Sequence, residues 1–139
     1  MEKFVWREEY GVGIPSIDAQ HKHFFEITNE IIDLGSKPEV SRIEVHHVAD
    51  LLGNYALYHL KTEENYFDRT AYPEAARHIE AHNLYRQRIA QYMEGIDSLS
   101  TDPKALAEDF AEYSISWLSN HILLVDKKYS HYFQEHDIK

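Results

Sequence analysis

The stretch HLKTEENYFDRTAYPEAARHIEAH, His59–His82, decides how the chain is read. His59 and Glu63 stand four residues apart, as do His78 and His82, so each pair shares one face of a helix about one turn apart. Both pairs fall where apolar residues fall in the flanking sequence. Upstream of His59 the same stripe carries Tyr55, Leu52 and Val48, and beyond Glu63 it reaches Tyr66. Downstream of His82 the next stripe carries Tyr85, Ile89, Tyr92 and Ile96. A polar group buried without a partner costs several kcal/mol. Four of them on faces that point inward need a shared partner.

Working outward, the same three- and four-residue steps mark two more helices. One begins near Asp18, carries Ile17, His21, Phe24, Thr28 and Ile31, and ends at Gly35 and Pro38. The other carries Leu106, Phe110, Tyr113, Trp117, His121 and Leu124. Start signals agree with the periodicity. Ser41 and Glu44 form a capping box ahead of the helix that holds His59. Pro73 suits the first turn of the next helix, and Asp102 with Pro103 opens the last. Short loops between amphipathic helices make antiparallel neighbours. The expected fold is all-α: an up-down-up-down four-helix bundle, one domain over residues 1–139, with an aromatic-rich N-terminal arm over residues 1–16.

Composition bounds the function. A chain of 139 residues with 43% hydrophobic content builds a real core. Its net charge of −10 opposes nucleic-acid binding. No cysteine is present, which rules out disulfides and thiolate metal sites. No segment approaches the roughly 20 apolar residues of a membrane span, and MEKFVWREEYGVGIP has no signal-peptide pattern. The expected location is cytoplasmic.

Ten histidines remain to be explained. His21, His59, His78, His82 and His121 all lie on the stripes. One such histidine is ordinarily a hydrogen-bonded core residue. Five converging imidazoles cannot all satisfy one another, and charging them in a narrow core is costly. A metal centre resolves the conflict. Glu63 lies on a stripe, and Asp126 follows His121 by five residues, a step that does not return to the same face. Seven candidate ligands exceed what one tetrahedral zinc uses, an imidazole-rich set does not suit calcium or magnesium, and imidazole with carboxylate suits iron. The di-iron plan built on two Glu-x-x-His motifs fits poorly, because Glu44–His47 is the one such motif and lies away from the stripe histidines. His23, His46, His47, His131 and His136 lie off the stripes or near helix ends and read as surface residues.

At this point the chain resembles a known family, the hemerythrins, in their single-domain bacterial form. Trp6 and GVGIPSIDAQH (Gly11–His21) are similar to the family's arm and first ligand, and HLKTEE to its HxxxE motif. Tyr72-Pro73, HIEAH and WLSNHILLVDKKY follow in the family's order. The resemblance implies His78, His82 and His121 on one iron, His21 and His59 on a second, and Glu63 with Asp126 bridging the two beside an oxo or hydroxo group. It implies an open position on the iron held by His21 and His59, where dioxygen binds by taking one electron from each iron. Trp117, Leu118 and Ile122 match the apolar residues around that position. Leu60 and Phe67 stand where the family more usually has an aromatic residue and a methionine, which bears on pocket shape.

The expected function is therefore reversible dioxygen binding for storage, delivery or sensing, without enzymatic turnover. The expected partners are dioxygen and an unidentified protein recipient. The alternative is a di-iron oxidase or a peroxide- or nitric-oxide-scavenging enzyme. Neutral imidazoles outnumber carboxylates, which gives little anionic charge to stabilise high-valent iron. No Tyr, Glu or Lys on the stripes is clearly placed as a proton relay for such chemistry, although Tyr66 and Tyr113 could serve.

Overall fold

A computed structural model of the chain describes residues 3–138; the first two residues of the expected arm and Lys139 lie outside this range. Four long helices carry the structure: α1 (Pro15–Gly35), α2 (Arg42–Thr70), α3 (Ala75–Asp97) and α4 (Pro103–Leu124). A short helix, α5 (Ser130–Glu135), follows a 3-10 turn at Asp126–Tyr129. The fold is all-α, with no strand among the described residues. α1 packs against α2 and α4, α2 against α3, and α3 against α4, so the long helices close a ring.

The helix ends follow from local chemistry. Ser41 Oγ accepts from Glu44 N at 3.1 Å, and Ser41 N donates back to Glu44 Oε1 at 3.3 Å, which completes the capping box. Asp102 accepts from Lys104 N ahead of α4, where Pro103 takes the first position. Pro73 does not enter α3 as expected. It sits in the turn, and α3 starts two residues later with Glu74 as its N-cap. The turn is tight because Ala71 adopts a left-handed conformation (φ 50°) and Tyr72 N bonds back to Phe67 O at 3.0 Å. Arg42 ties the opposite end, donating to Ile96 O at 2.7 Å, Thr101 Oγ1 at 2.9 Å and Thr101 O at 2.7 Å.

The arm is held by aromatic packing and by clamps at both of its ends. Phe4, Trp6 and Tyr10 gather around Phe25 of α1, with ring centroids 4.1, 5.5 and 5.3 Å away. Asn29 bonds the backbone of Phe4 in both directions. Val12 N donates to Asp18 Oδ1 at 2.8 Å, Ser130 Oγ donates to Val12 O, and Gln134 Nε2 donates to Gly13 O at 3.0 Å. Gly13 takes φ 75°, a conformation open to glycine. α5 thus locks the arm across the same end of the bundle.

Two stripes need correction. In α4 the buried seam is Ala107, Phe110, Ala111, Ser114, Leu118, His121 and Ile122. Leu106, Tyr113 and Trp117 are half-buried, and Leu124 is 66% exposed. In α2 likewise Val48, Tyr55 and Tyr66 are half-buried beside a seam of Ala49, Leu52, Ala56, His59, Leu60, Glu63 and Phe67. Small residues let the helices approach closely, and the large ones flank the contact.

Candidate metal centre

Alternating helix direction puts the first half of α1, the second half of α2, the first half of α3 and the last turn of α4 at one end of the bundle. His21, His59 with Glu63, His78 with His82, and His121 occupy those four places, all buried. Asp126 joins them by a different route. α4 ends at Leu124, Val125 departs from helical geometry (φ −118°, ψ −56°), and the 3-10 turn swings Asp126 inward to zero exposure. The five-residue step that a continuous helix would have spoiled is absorbed by the break.

The donor atoms converge in two overlapping groups. Glu63, His78, His82, His121 and Asp126 form one, and His21, His59, Glu63 and Asp126 the other; within each group one ligand atom per residue lies within 4.8 Å of the rest. Glu63 and Asp126 belong to both. Asp126 Oδ1 lies 2.9 Å from the Nε2 atoms of His78 and His121, and Oδ2 lies 3.0 Å from His21 Nε2. Glu63 Oε1 lies 3.1 Å from His82 Nε2, and Oε2 lies 3.7 Å from His59 Nε2 and 3.8 Å from His21 Nε2.

These distances are not a satisfied hydrogen-bond network. His21 Nδ1 and Nε2, His82 Nε2, Glu63 Oε1 and both Asp126 oxygens are buried without a hydrogen-bond partner. His78 and His121 point Nε2 at Nε2 across 3.1 Å, a contact in which at most one hydrogen fits. No lysine or arginine pairs with Glu63 or Asp126 among the described residues, so two buried carboxylates lack a fixed cation. Donors bound to one ion at ~2.1 Å lie roughly 3 Å apart when adjacent on an octahedron. The separations around Asp126 match that edge, and the imidazole–carboxylate set suits iron among the common metals. The residues fit a pair of cations that share two carboxylates.

Protonation follows the same logic. Burial disfavours charge on every ring, and at His59 it prevails, taking the imidazole down to about 3. At His78 burial is outweighed by the Asp126 and Glu63 carboxylates, which hold the ring up at about 9. Burial is likewise outweighed at His21, chiefly by Asp126 and Glu63, and at His82 by Glu63 and Glu64, so both are raised. Burial and mutual repulsion would raise the acids, but the surrounding imidazoles keep Glu63 and Asp126 below the usual carboxylate range. Protons stand in for metal charge, and metal ions would displace them.

A model of the hemerythrin HHE cation binding domain matches residues 12–132, a span that contains all seven groups. The chain belongs to the hemerythrin family. It is similar to the bacteriohemerythrin of Clostridium acetobutylicum, 27% identical over 129 residues that cover 91% of this chain and 98% of that protein. It is also similar to the bacteriohemerythrin of Stenotrophomonas maltophilia, 26% identical over 136 residues, 98% of this chain and 85% of the other. Among solved structures, that of wild-type hemerythrin superposes with a TM-score of 0.85 at 26% identity, over 94% of this chain and 97% of the other. A tyrosine point mutant of hemerythrin gives 0.87 at 25% identity, over 96% and 98%.

Within this hemerythrin-family fold the remaining expected residues separate. Leu118 and Ile122 are buried on α4. Trp117 is half-buried and stacks on His121 (centroids 4.3 Å, 13°) and on Tyr85 (3.9 Å, 16°), so it covers the three-histidine group rather than His21 and His59. The two stripe tyrosines lie off the cluster: Tyr66 pairs with Ser16 at 3.3 Å and Tyr113 lies under Arg88. The tyrosine on the cluster is Tyr129, three residues after Asp126, whose buried hydroxyl donates to Glu63 Oε2. Nothing in the stripe pattern selects it, because it sits on the 3-10 turn. His23, His46, His47, His131 and His136 are exposed, as expected. Cavities reach the three-histidine side: one of about 380 Å³ is lined by Trp117, His121 and Val125, and one of about 120 Å³ by Tyr72, His78 and Val125. A further cavity of about 380 Å³, lined by Ile31, Ile32, Gly35 and Glu108, lies toward the far end of α1. No helix of the described residues is long and apolar enough to cross a membrane.

Proposed function

We propose that this chain binds dioxygen reversibly at a non-haem pair of iron ions, for oxygen storage, delivery or sensing. The observation that carries the proposal is the sharing of Glu63 and Asp126 between two histidine groups whose buried nitrogens and oxygens lack other partners. His78, His82 and His121 would hold one ion, His21 and His59 the other, and the two carboxylates would bridge them. The iron pair, when bound, supplies the electrons that hold dioxygen. The half with two histidines has one protein ligand fewer and so leaves room for a small molecule.

The chain's own part is to keep the site dry and aprotic. Leu118 and Ile122 exclude water from the core beside the cluster. Besides the candidate ligand imidazoles, Tyr129 is the side chain whose O–H touches Glu63, and burial together with the Asp126 and Glu63 charges pushes its pKa well up. It therefore fixes the carboxylate as a hydrogen-bond donor and retains its proton. That supports a carrier over an oxidase or a peroxide- or nitric-oxide-scavenging enzyme, which would need protons delivered to the bound molecule.

The test is metal analysis followed by an optical spectrum of the reduced protein under nitrogen, then air, then nitrogen. Close to two iron ions per chain and a colour that comes and goes with oxygen are expected. Iron near one per chain, zinc in its place, or continuous oxygen consumption with a reductant would overturn the assignment.

A further inference from the structure

The two histidine groups differ in what stands behind them. On the three-histidine side, His82 Nδ1 donates to Glu64 Oε2 at 2.8 Å. Glu64 is itself gripped by Arg86, whose Nη1 and Nη2 reach its two oxygens at 2.8 and 3.0 Å. On the two-histidine side, His59 Nδ1 donates at 2.8 Å to Gln20 Oε1, a neutral amide whose Nε2 is spent on Thr62 Oγ1 at 3.3 Å. His21 Nδ1, on the same side, is buried with no hydrogen-bond partner among the described residues. A carboxylate behind a ligand imidazole raises its donor strength and fixes its ring; an amide fixes the ring without adding charge.

We propose that Glu64 and Gln20 are positioning residues that make the two metal positions unequal, Glu64 strengthening the three-histidine position through His82 and Gln20 leaving the two-histidine position weak through His59. The inference rests on the metal reading above and deepens it. The position with fewer protein ligands also has the weaker imidazoles, so its ion is the one that exchanges ligands readily. Arg86 serves Glu64 in turn: its two-pronged grip leaves the carboxylate one orientation, with Oε2 presented to His82.

The test uses the metal-free protein loaded with ferrous iron under nitrogen, and a ferrous chelator that strips it. Wild type, Glu64→Gln, Gln20→Glu and Arg86→Gln are compared for release rate when loaded and for melting temperature when metal-free. Wild type is expected to release iron in a fast and a slow phase. Glu64→Gln should speed the slow phase about 10–100-fold, the usual cost of losing such a partner, and Gln20→Glu should slow the fast phase. Arg86→Gln should lower the metal-free melting temperature as Glu64→Gln does, since both break the same α2–α3 ion pair. It should speed the slow phase less than Glu64→Gln, because the Glu64 carboxylate remains beside His82 and loses only its fixed orientation. Release rates that simply track melting temperature, or a Glu64→Gln protein that holds iron like wild type, would overturn the inference while leaving the metal centre intact. A wild-type protein that takes up no iron would overturn both.

Discussion

Replacing Tyr129 by phenylalanine isolates one hydrogen bond in the middle of the cluster. The ring is fully buried, stacked on Phe133 (centroids 4.4 Å, 16°) and on His78 (5.6 Å, 25°), and phenylalanine preserves both contacts. What goes is the hydroxyl that donates to Glu63 Oε2, whose remaining neighbours, His59 and His21, stand at 3.7 and 3.8 Å. A hydrogen bond to a charged acceptor contributes about 1.5–3 kcal/mol, and removing the donor leaves a buried carboxylate oxygen unsatisfied. At this chain length 1 kcal/mol moves the melting temperature by about 3–4 °C. The metal-free Tyr129→Phe protein should therefore melt roughly 5–12 °C lower. The urea midpoint should fall with an unchanged slope, because no extra surface is exposed. With iron loaded the loss should shrink, since a bound cation takes over the Oε2 charge. A metal-free loss below about 0.5 kcal/mol, the range of neutral surface changes, would refute the role given to Tyr129.

Three further outcomes are expected. His121→Ala should abolish iron-dependent colour and the stabilisation that bound metal confers, while His131→Ala, at an exposed position paired with Glu135, should change neither; identical behaviour in spectra and melts would remove His121 from the site. Leu118→Ala deletes a side chain 1% exposed and should cost about 2–5 kcal/mol of stability. It should still bind oxygen but lose the oxygen-bound absorption band several-fold faster, for which about 1 kcal/mol suffices; an unchanged lifetime would take Leu118 out of the pocket. Because the folded-state pKa of His78 is raised to about 9, its contribution to metal-free stability is full below its ordinary value of 6.5 and is lost as pH rises through 9. Iron loading at neutral pH should accordingly release protons, measurable with an indicator dye in weak buffer; loading without proton release would contradict this protonation pattern.

The parts legible in the sequence are those set by local spacing. The HxxxE and HxxxH pairs, the capping box and the Asp102-Pro103 start each depend on residues within a turn of one another. Asp126 was legible as a candidate but not in its geometry, since only the break at Val125 explains how it reaches His21 and His78. The α4 seam was misplaced toward Leu124 because periodicity is read from large apolar residues, whereas the contact runs through Ala107, Ala111 and Ser114. Glu64, Gln20 and Tyr129 were illegible as partners. Each meets its histidine or acid across 18, 39 or 66 residues of chain, and only packing sets such contacts.

The double membership of Asp126 has a consequence for the order in which a ribosome makes the chain. The candidate ligands begin at His21, and neither group is complete until Asp126 has emerged. At about 5–20 residues per second, the intervening stretch takes roughly 5–20 s to synthesise. Through that interval the nascent polypeptide exposes imidazoles that can touch a passing cation but cannot enclose it. Both positions then close on a single residue. A residue common to both groups is thus the last of the seven to appear, after translation has passed all four long helices.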